Sequence, residues 1–567
     1  MVVELVRRSA SFRRPRMTVA RRIVDGALVV LAAVTMLSWI VLVAAHAGDW
    51  YHVDHVAGVR MALASSAADG QLYPPLHADG VFGGSRYMPL SIVLHAGLSQ
   101  VTGDLVLSGK VLGAASVASL AALVWWLLRR FGCPRALAAA LGAAVLVGEP
   151  GLGATFGMRA DALPAALQLG AVGTALFLGR RSRSAARFAE PGSAKFPVRR
   201  SRSTACFAEP GSAKFLPGTA GIIVAAVLAG LAFTSKITAV WAAIAIFAWL
   251  VQTDRARAWL FAATCSGVVA VLVIVFAVAS GGRLGDLVTL TFAGIGGVAD
   301  AVTAPYRLLR TVFGEAIVTW ALLPAALIGF GLGRLRTRGA ALSISFAVSV
   351  VVLLIVFTDI GVGVNQLVDL TALVAIGTGM LATRLPATAA AADGVSARGG
   401  RWDAAPTVVG VVVLWVVGSA AAYTMGTEVP AAIGGSRPAQ PLTDVITEDM
   451  TVLSEDPGVL VALGRRPTVL DPFILLRLER RDPAAVAALA DRIRSAEFDL
   501  VVLLQPLEDD SGWWRRYHFG ETVIDAVREA YVPAGRSDGY YLYEPARRPT
   551  RMTRAGPSGR APPSAAG

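Results

Sequence analysis

Long apolar stretches broken by short basic runs dominate the chain. A helix needs roughly 20 apolar residues to cross the hydrocarbon core of a bilayer. Stretches of that character fall near 24–46, 105–128, 136–150, 162–179, 218–234, 238–252, 258–280, 313–333, 340–357, 367–383 and 407–424. The pattern predicts an α-helical polytopic membrane protein with about eleven spans. Arg129 and Arg130, Arg180 and Arg181, the run DRAR at 254–257, Arg334, Arg336, Arg338, Arg384, Arg398 and Arg401 all fall on one side of this alternation. Short loops rich in Lys and Arg stay in the cytoplasm. The N-terminus therefore reads as inside and the C-terminus as outside. The leader 1–23 is basic and cytoplasmic in this reading. The stretch that follows lacks a small-residue cleavage site and reads as a retained span.

Between the spans the periodicity changes. In the first outer loop, 47–104, Val56, Val59, Leu63 and Ala67 share one face of a helix that Asp54 begins, and that helix is expected along the membrane surface. Residues 88–101 (MPLSIVLHAGLSQV) are apolar but too short to cross and return, so they predict an interfacial helix. Residues 281–311 form another long outer segment, Gly-rich and partly amphipathic.

Residues 180–217 hold a tandem repeat, RRSRSAARFAEPGSAKFPV followed by RRSRSTACFAEPGSAKFLP. It reads as a disordered cytoplasmic insertion, with a phospholipid-binding basic loop as the alternative. The transmembrane domain spans 24–424 in this division. From 425 to 546, short apolar runs alternate with turn signals. Strands near 451–453, 467–470, 499–504 and 539–543, with helices between, predict a small extracytoplasmic α/β domain. The tail 547–567, rich in Pro, Arg and Ser, reads as disordered.

Composition supports this reading: 55% of residues are hydrophobic and 16% charged, against about 25% charged in soluble domains. A net charge of +13 does not point to nucleic acid, because the basic residues gather in the inner turns. Cys133, Cys206 and Cys265 all lie away from the outer segments, which leaves no disulfide framework.

Ionisable groups collect after the first span. Five of the six histidines, His46, His52, His55, His77 and His95, lie there with Asp49 and Asp54. Asp54 could simply cap its helix. Alternatively the helix dipole keeps it ionised, and it serves as a general base toward an acceptor hydroxyl. Asp49 is either a loop residue at the membrane boundary or a second catalytic carboxylate. His52 and His55, at spacing three, permit a divalent cation with Asp49 or His77. The signal is weak, because zinc sites on one helix favour spacing four and a third strong ligand.

Lys236, in LAFTSKITAV, is costly in an apolar hairpin unless it snorkels or meets an anion such as a lipid phosphate. Arg159 and Asp161 could pair with each other, or bind phosphate and sugar respectively. Arg86 and Tyr87 offer a cation and an aromatic platform. Lys110, inside the second span, reads as a salt-bridge partner within the bundle. Asn365, Gln366 and Asp369 could hydrogen-bond a substrate or cap the next span.

The order of these features resembles a known superfamily. An acidic first outer loop leads into DGQLYPP and GGSRYMPLSIVLHAGLSQVTGD, then come MRADALPAALQLG, FTSKITAV and a C-terminal outer domain. Over about 24–546, apart from 180–217, the chain resembles the GT-C integral membrane glycosyltransferases. The resemblance is close to their bacterial protein-mannosyltransferase-like and lipid A aminoarabinose-transferase-like branches. Each motif is short; their order and topology carry the likeness.

The resemblance implies a plasma-membrane enzyme with a polyprenyl-phosphate sugar donor, an extracytoplasmic acceptor and inverting single displacement. It implies a catalytic aspartate in the first outer loop. Asp54 matches better than Asp49, because an apolar helix and the turn Gly70, Tyr73, Pro74 follow it. Lys236 and Arg159, with Arg86, would hold the donor phosphate, and Asp161, Tyr87, His55 and Asn365 would meet substrate. Many members carry paired acids where this chain has His55, which leaves open both a divalent cation and the choice between Asp49 and Asp54. Ser454-Glu455-Asp456 and Asp471-Pro472-Phe473 read as turn and cap residues, or as acceptor contacts.

Two other readings compete. A flippase or ion transporter would show internal repeats and charged or broken helices near the midplane, whereas here the ionisable groups gather at outer ends. A non-enzymatic envelope scaffold would use the outer domain alone.

Overall fold

The computed structural model describes residues 2–159, 161–178, 218–287, 298–331, 338–359, 361–392, 405–433 and 440–546. The repeat 180–217 and the tail 547–567 lie outside the described residues.

The chain divides into two compact units. The first holds Met1–Tyr73 and Arg86–Ala439, and the second Pro74–Ser85 and Gln440–Gly567. The first unit is the helical membrane domain. Among the described residues, six helices are long and apolar enough to cross a bilayer: Val19–His46, Leu105–Arg130, Arg255–Ala279, Gly339–Val356, Val364–Arg384 and Ala405–Ala432. Helices Val298–Glu315 and Ile317–Gly331 meet at 112° and together would make a seventh. Ala162–Phe177, Thr219–Ser235 and Trp241–Thr253 are apolar but shorter. Each predicted span is carried in the main by one helix, 313–333 by Ile317–Gly331 beyond the 112° bend, except one.

That exception is 136–150, which breaks into Arg135–Ala143 and Glu149–Phe156. Gly148 stands between them at φ +79°, a conformation glycine adopts without penalty. Pro150, in the first turn of the second helix, has no N–H with which to continue the preceding one. Arg159 and Asp161 lie between the second of these helices and Ala162–Phe177.

Small residues let the helices approach closely. A Cβ on Gly329 would run into the carbonyl of Gly377, so helices Ile317–Gly331 and Val368–Ala392 touch backbone to backbone there. The helix begun by Asp54 runs His55–Ala68. Every residue from Ala57 to Ala64 is buried, so it is embedded in protein and does not lie on a surface as its pattern predicts. The 88–101 segment forms Pro89–Thr102, with Pro89 in its first turn and Gly103 closing it at φ 71°.

The second unit is a small α/β fold. Strands β1 (Val452–Ser454), β2 (Leu500–Leu503), β3 (Tyr531–Ser537) and β4 (Tyr540–Pro545) lie in the order β1-β2-β4-β3. β1 and β2 are parallel, and β4 runs antiparallel to both β2 and β3. The stretch 467–470, read as a strand, makes only a single bridge, Val469 to Phe82. Phe82 comes from the first outer loop: its N–H donates to Thr468 O at 2.7 Å and its carbonyl accepts from Leu470 N at 2.9 Å. Residues 74–85 are thus built into the C-terminal fold.

Candidate active site

Four segments of the membrane unit converge on one chain of polar side chains. Asp54 caps helix His55–Ala68, its Oδ1 accepting from Ala57 N at 3.0 Å. Its other oxygen accepts from Arg159 Nη2. Arg159 follows Met158, whose φ of 48° turns the backbone sharply between two helices. The second terminal nitrogen of Arg159 donates to Asn365 Oδ1 at 2.5 Å. Asn365 sits in a short 3-10 turn, Val364–Leu367, before the next span. Its amide nitrogen donates to Asp161 Oδ2 at 2.5 Å, and Asp161 Oδ1 accepts from Lys236 Nζ at 2.5 Å. Lys236 also donates to Gln366. It stands at the C-terminal end of helix Thr219–Ser235, where a cation meets the negative end of the helix dipole.

The chain is closed at one end and open at the other. Asp161 is buried, whereas the Asp54 side chain is 34% exposed and that of Arg159 24%. Burial pushes the Asp54 carboxyl upward, but Arg159, His55 and the Ala57 N–H together outweigh it and hold the group below its ordinary range. Burial likewise pushes Asp161 upward, and Lys236, Asn365 and Arg159 bring it below its ordinary value. Both acids are ionised at neutral pH. The arrangement offers a carboxylate at the open edge, backed by cations that could meet a growing negative charge.

Asp49 belongs to a different network. Its Oδ2 lies 2.6 Å from His46 Nδ1, and its Oδ1 accepts from Tyr51 N at 2.9 Å and lies 3.3 Å from Lys110 Nζ. Lys110 donates further to the carbonyls of His46 at 2.8 Å and Asp49 at 2.7 Å. Asp49 and Lys110 are buried. Tyr51 OH donates to Glu428 at 2.6 Å, which ties this corner to the last membrane helix. The structure does not bring Asp49 to the Asp54–Arg159 pair.

The remaining nominated residues are placed as follows. Tyr87 lies beneath the guanidinium groups of Arg86 and Arg60, at 5.5 and 5.8 Å from the ring centroid. Tyr87 also accepts, through its carbonyl, from Tyr73 OH at 2.8 Å. His55 follows Asp54 and its charge helps to keep that carboxyl ionised. His52 sits at φ 56°, and burial pushes its imidazole below the ordinary value. His77 stacks on Phe82 in the C-terminal unit at 4.6 Å. Among the described residues no group of three or more His, Cys, Asp and Glu could hold a metal ion.

Arg60 was not nominated from sequence, although it is a lone charge in the otherwise small and apolar helix HVAGVRMALASSAA. It lines one cavity with Arg159, Ser91, His95 and Ser116.

No family model and no curated protein sequence matches the chain. Solved structures do. ArnT from Cupriavidus metallidurans, bound to undecaprenyl phosphate, superposes with a TM-score of 0.53 at 13% identity, over 91% of this chain and 98% of ArnT. The oligosaccharyltransferase of Archaeoglobus fulgidus, in its apo form, gives 0.51 at 13% identity, over 90% of this chain and 74% of that protein. The chain has the GT-C fold.

Proposed function

We propose that the protein is a membrane glycosyltransferase that moves a hexose or pentose from a polyprenyl-phosphate donor to an extracytoplasmic acceptor. The carrying observation is the Asp54–Arg159–Asn365–Asp161–Lys236 chain, in which a partly exposed carboxylate, Asp54, pairs with Arg159 and a second, buried carboxylate, Asp161, pairs with Lys236. The ArnT neighbour, bound to undecaprenyl phosphate, supports a lipid phosphate as the donor's carrier. The basic inner turns support a cytoplasmic N-terminus and an extracytoplasmic C-terminus.

In this reading the acceptor oxygen attacks the anomeric carbon from the face opposite the phosphate, which inverts the centre. The bond from that carbon to the phosphate oxygen breaks, and polyprenyl phosphate leaves with the bonding electrons. Asp54 takes the acceptor's proton. Arg159, Lys236 and Arg86 neutralise the charge growing on the leaving phosphate. Tyr87, His55, Asp161 and Asn365 hold the sugar and acceptor in register.

The Arg159–Asp54 contact has a consequence for timing. An acid held low by a cation is a weak base. A donor phosphate that draws Arg159 toward itself releases Asp54 and raises its basicity when the sugar is in place.

The test is transfer of radiolabelled sugar by the purified full chain in nanodiscs, with a panel of undecaprenyl-phosphate sugars and envelope acceptors. Labelled product with inverted anomeric configuration supports the proposal. Movement of intact labelled donor across the bilayer without transfer would replace it with the flippase reading.

A further inference from the structure

Helix Val298–Glu315 presents three different faces. Ala304, Leu308 and Val312, four positions apart, are buried in the same core as Val364 and Leu367. Val298, Val302, Tyr306, Leu309 and Phe313, three or four positions apart, form a second apolar stripe, and each is at least 51% exposed. Asp300, Thr303, Arg307 and Arg310 take the remaining side, where Arg307 pairs with Asp300. A helix packed on a water-exposed surface needs only one apolar face. The second stripe is left uncovered by the described residues.

The position of the helix decides what covers that stripe. Arg307 Nη2 donates to the carbonyl of Thr358 at 3.3 Å, just beyond the end of the span Gly339–Val356. The helix therefore lies level with the point where that span leaves the bilayer. It meets Ile317–Gly331 at 112°, so when that helix enters the bilayer along its normal this one runs close to the membrane plane. The rings of Phe313 and Trp320 lie 5.6 Å apart across the bend, and the exposed stripe continues onto Ile317 and Trp320. Asp300, Arg307, Arg310 and Glu315 oppose burial of the helix in hydrocarbon. An apolar stripe flanked by a charged one, with Tyr306 within it and Trp320 at its end, is the pattern of a helix seated at the lipid headgroups. Its two acids and two arginines cancel, so apolar burial seats it and attraction to anionic lipid does not.

We propose that Val298–Glu315 is a lipid-docking helix, which lies in the bilayer interface and does not cross the membrane. Its apolar stripe enters the boundary between phospholipid headgroups and acyl chains, and its charged side stays in water. The same helix packs against the turn Val364–Leu367, which carries Asn365 and Gln366. The lipid seat thus backs one segment of the candidate site. It depends on the faces of the helix and not on the reaction carried out there.

The test uses the full chain in nanodiscs, with Cys206→Ser and Cys265→Ser and the buried Cys133 kept. A nitroxide is attached singly to Val302→Cys, Leu309→Cys, Phe313→Cys, Thr303→Cys or Arg310→Cys, all at exposed positions. Relaxation of each label by molecular oxygen, which concentrates in lipid, is compared with relaxation by a water-soluble nickel chelate. The oxygen-to-nickel ratio should be about threefold or more higher at Val302, Leu309 and Phe313 than at Thr303 and Arg310. The difference should be the same in phosphatidylcholine alone and with phosphatidylglycerol added.

A ratio as low on the apolar stripe as at Arg310 would place the helix in water and overturn the proposal. A ratio equally high at every position would make the helix part of a span, with the same result. Shielding of the apolar positions from both reagents would put a second protein chain on the stripe in place of lipid. A difference that needs phosphatidylglycerol would replace the apolar seat with an electrostatic one. No arm of the experiment involves sugar transfer, so its failure leaves the glycosyltransferase reading untouched.

Discussion

The guanidinium of Arg159 sits on the carboxylate of Asp54, 105 positions earlier in the chain. The contact joins the cap of an embedded helix to a residue between helices Glu149–Phe156 and Ala162–Phe177. It adds a difference in surroundings to the preference for Asp54 over Asp49 that the sequence resemblance carried. Asp54 is ionised, partly exposed and beside a cation, whereas Asp49 is buried among groups that already use both its oxygens.

Asp54→Asn keeps the size of the side chain and the cap acceptor, and removes the base. Transfer should fall by about 10²–10⁴-fold in kcat, the usual range for a positioned proton acceptor. Donor binding, followed by undecaprenyl-phosphate titration, should persist. Full turnover in this variant would end the assignment of Asp54 as the base.

Asp49 is expected to matter for stability. Asp49→Ala strands the Lys110 ammonium in a buried position, although its bonds to two carbonyls soften the loss. Removing one partner of a buried pair costs about 3–5 kcal/mol. The midpoint of unfolding in detergent should drop, and Asp49→Ala combined with Lys110→Met should recover much of the loss. If Asp49→Asn folds like wild type yet transfers no sugar, Asp49 has a catalytic part.

The sequence was most legible where a single periodicity decides the structure. Apolar length placed the spans, and the period of Val59 and Leu63 placed the helix after Asp54. Local signals outranked the apolar average in one place. Gly148 and Pro150 break a stretch whose hydrophobicity alone reads as a span. β3 is not among the strands the sequence pattern predicts: it carries Pro533 and Gly535, residues uncommon inside strands, on an edge strand whose register shifts between them.

The site residues Arg159, Asp161, Lys236 and Asn365 were each visible as polar groups at span ends. Their mutual pairing was not, because it joins positions 75 to 206 residues apart. Arg60 carried the same signal as Lys236, one charge in an apolar element. Whether such a charge is paired depends on side chains that come from other helices.

His95 should leave a pH signature in stability. It is buried, and its Nε2 lies 2.8 Å from Leu105 O. Burial, with a smaller push from Arg60 and against the pull of that carbonyl, takes the imidazole from 6.5 down to about 4. A group lowered on folding binds its proton more readily in the unfolded chain. The stabilising effect of a neutral His95 is therefore complete above pH 6.5 and is lost as pH falls toward 4. A shift of this size corresponds to roughly 3 kcal/mol across that window. Unfolding midpoints between pH 4 and 7 should rise more steeply in wild type than in His95→Gln. Equal slopes would show that His95 does not titrate on unfolding.

In the C-terminal unit, Glu455 is fully buried and accepts from three donors: Trp513 Nε1 and His518 Nδ1 at 2.6 Å, and Leu504 N at 2.7 Å. It follows β1 directly and gathers the segment after β2 around one carboxylate. All the hydrogen bonds run toward the glutamate, so Glu455→Gln must turn an N–H against a donor. Hydrogen bonds to a charged buried group are worth about 1.5–3 kcal/mol, and a stranded donor costs about as much again. Glu455→Gln should lower the unfolding midpoint of the C-terminal unit and speed hydrogen exchange over 504–518. Unchanged exchange would remove Glu455 as the structural centre of that segment. If the same variant bound acceptor more weakly, Glu455 would move to the acceptor-contact reading that its place in Ser454-Glu455-Asp456 left open.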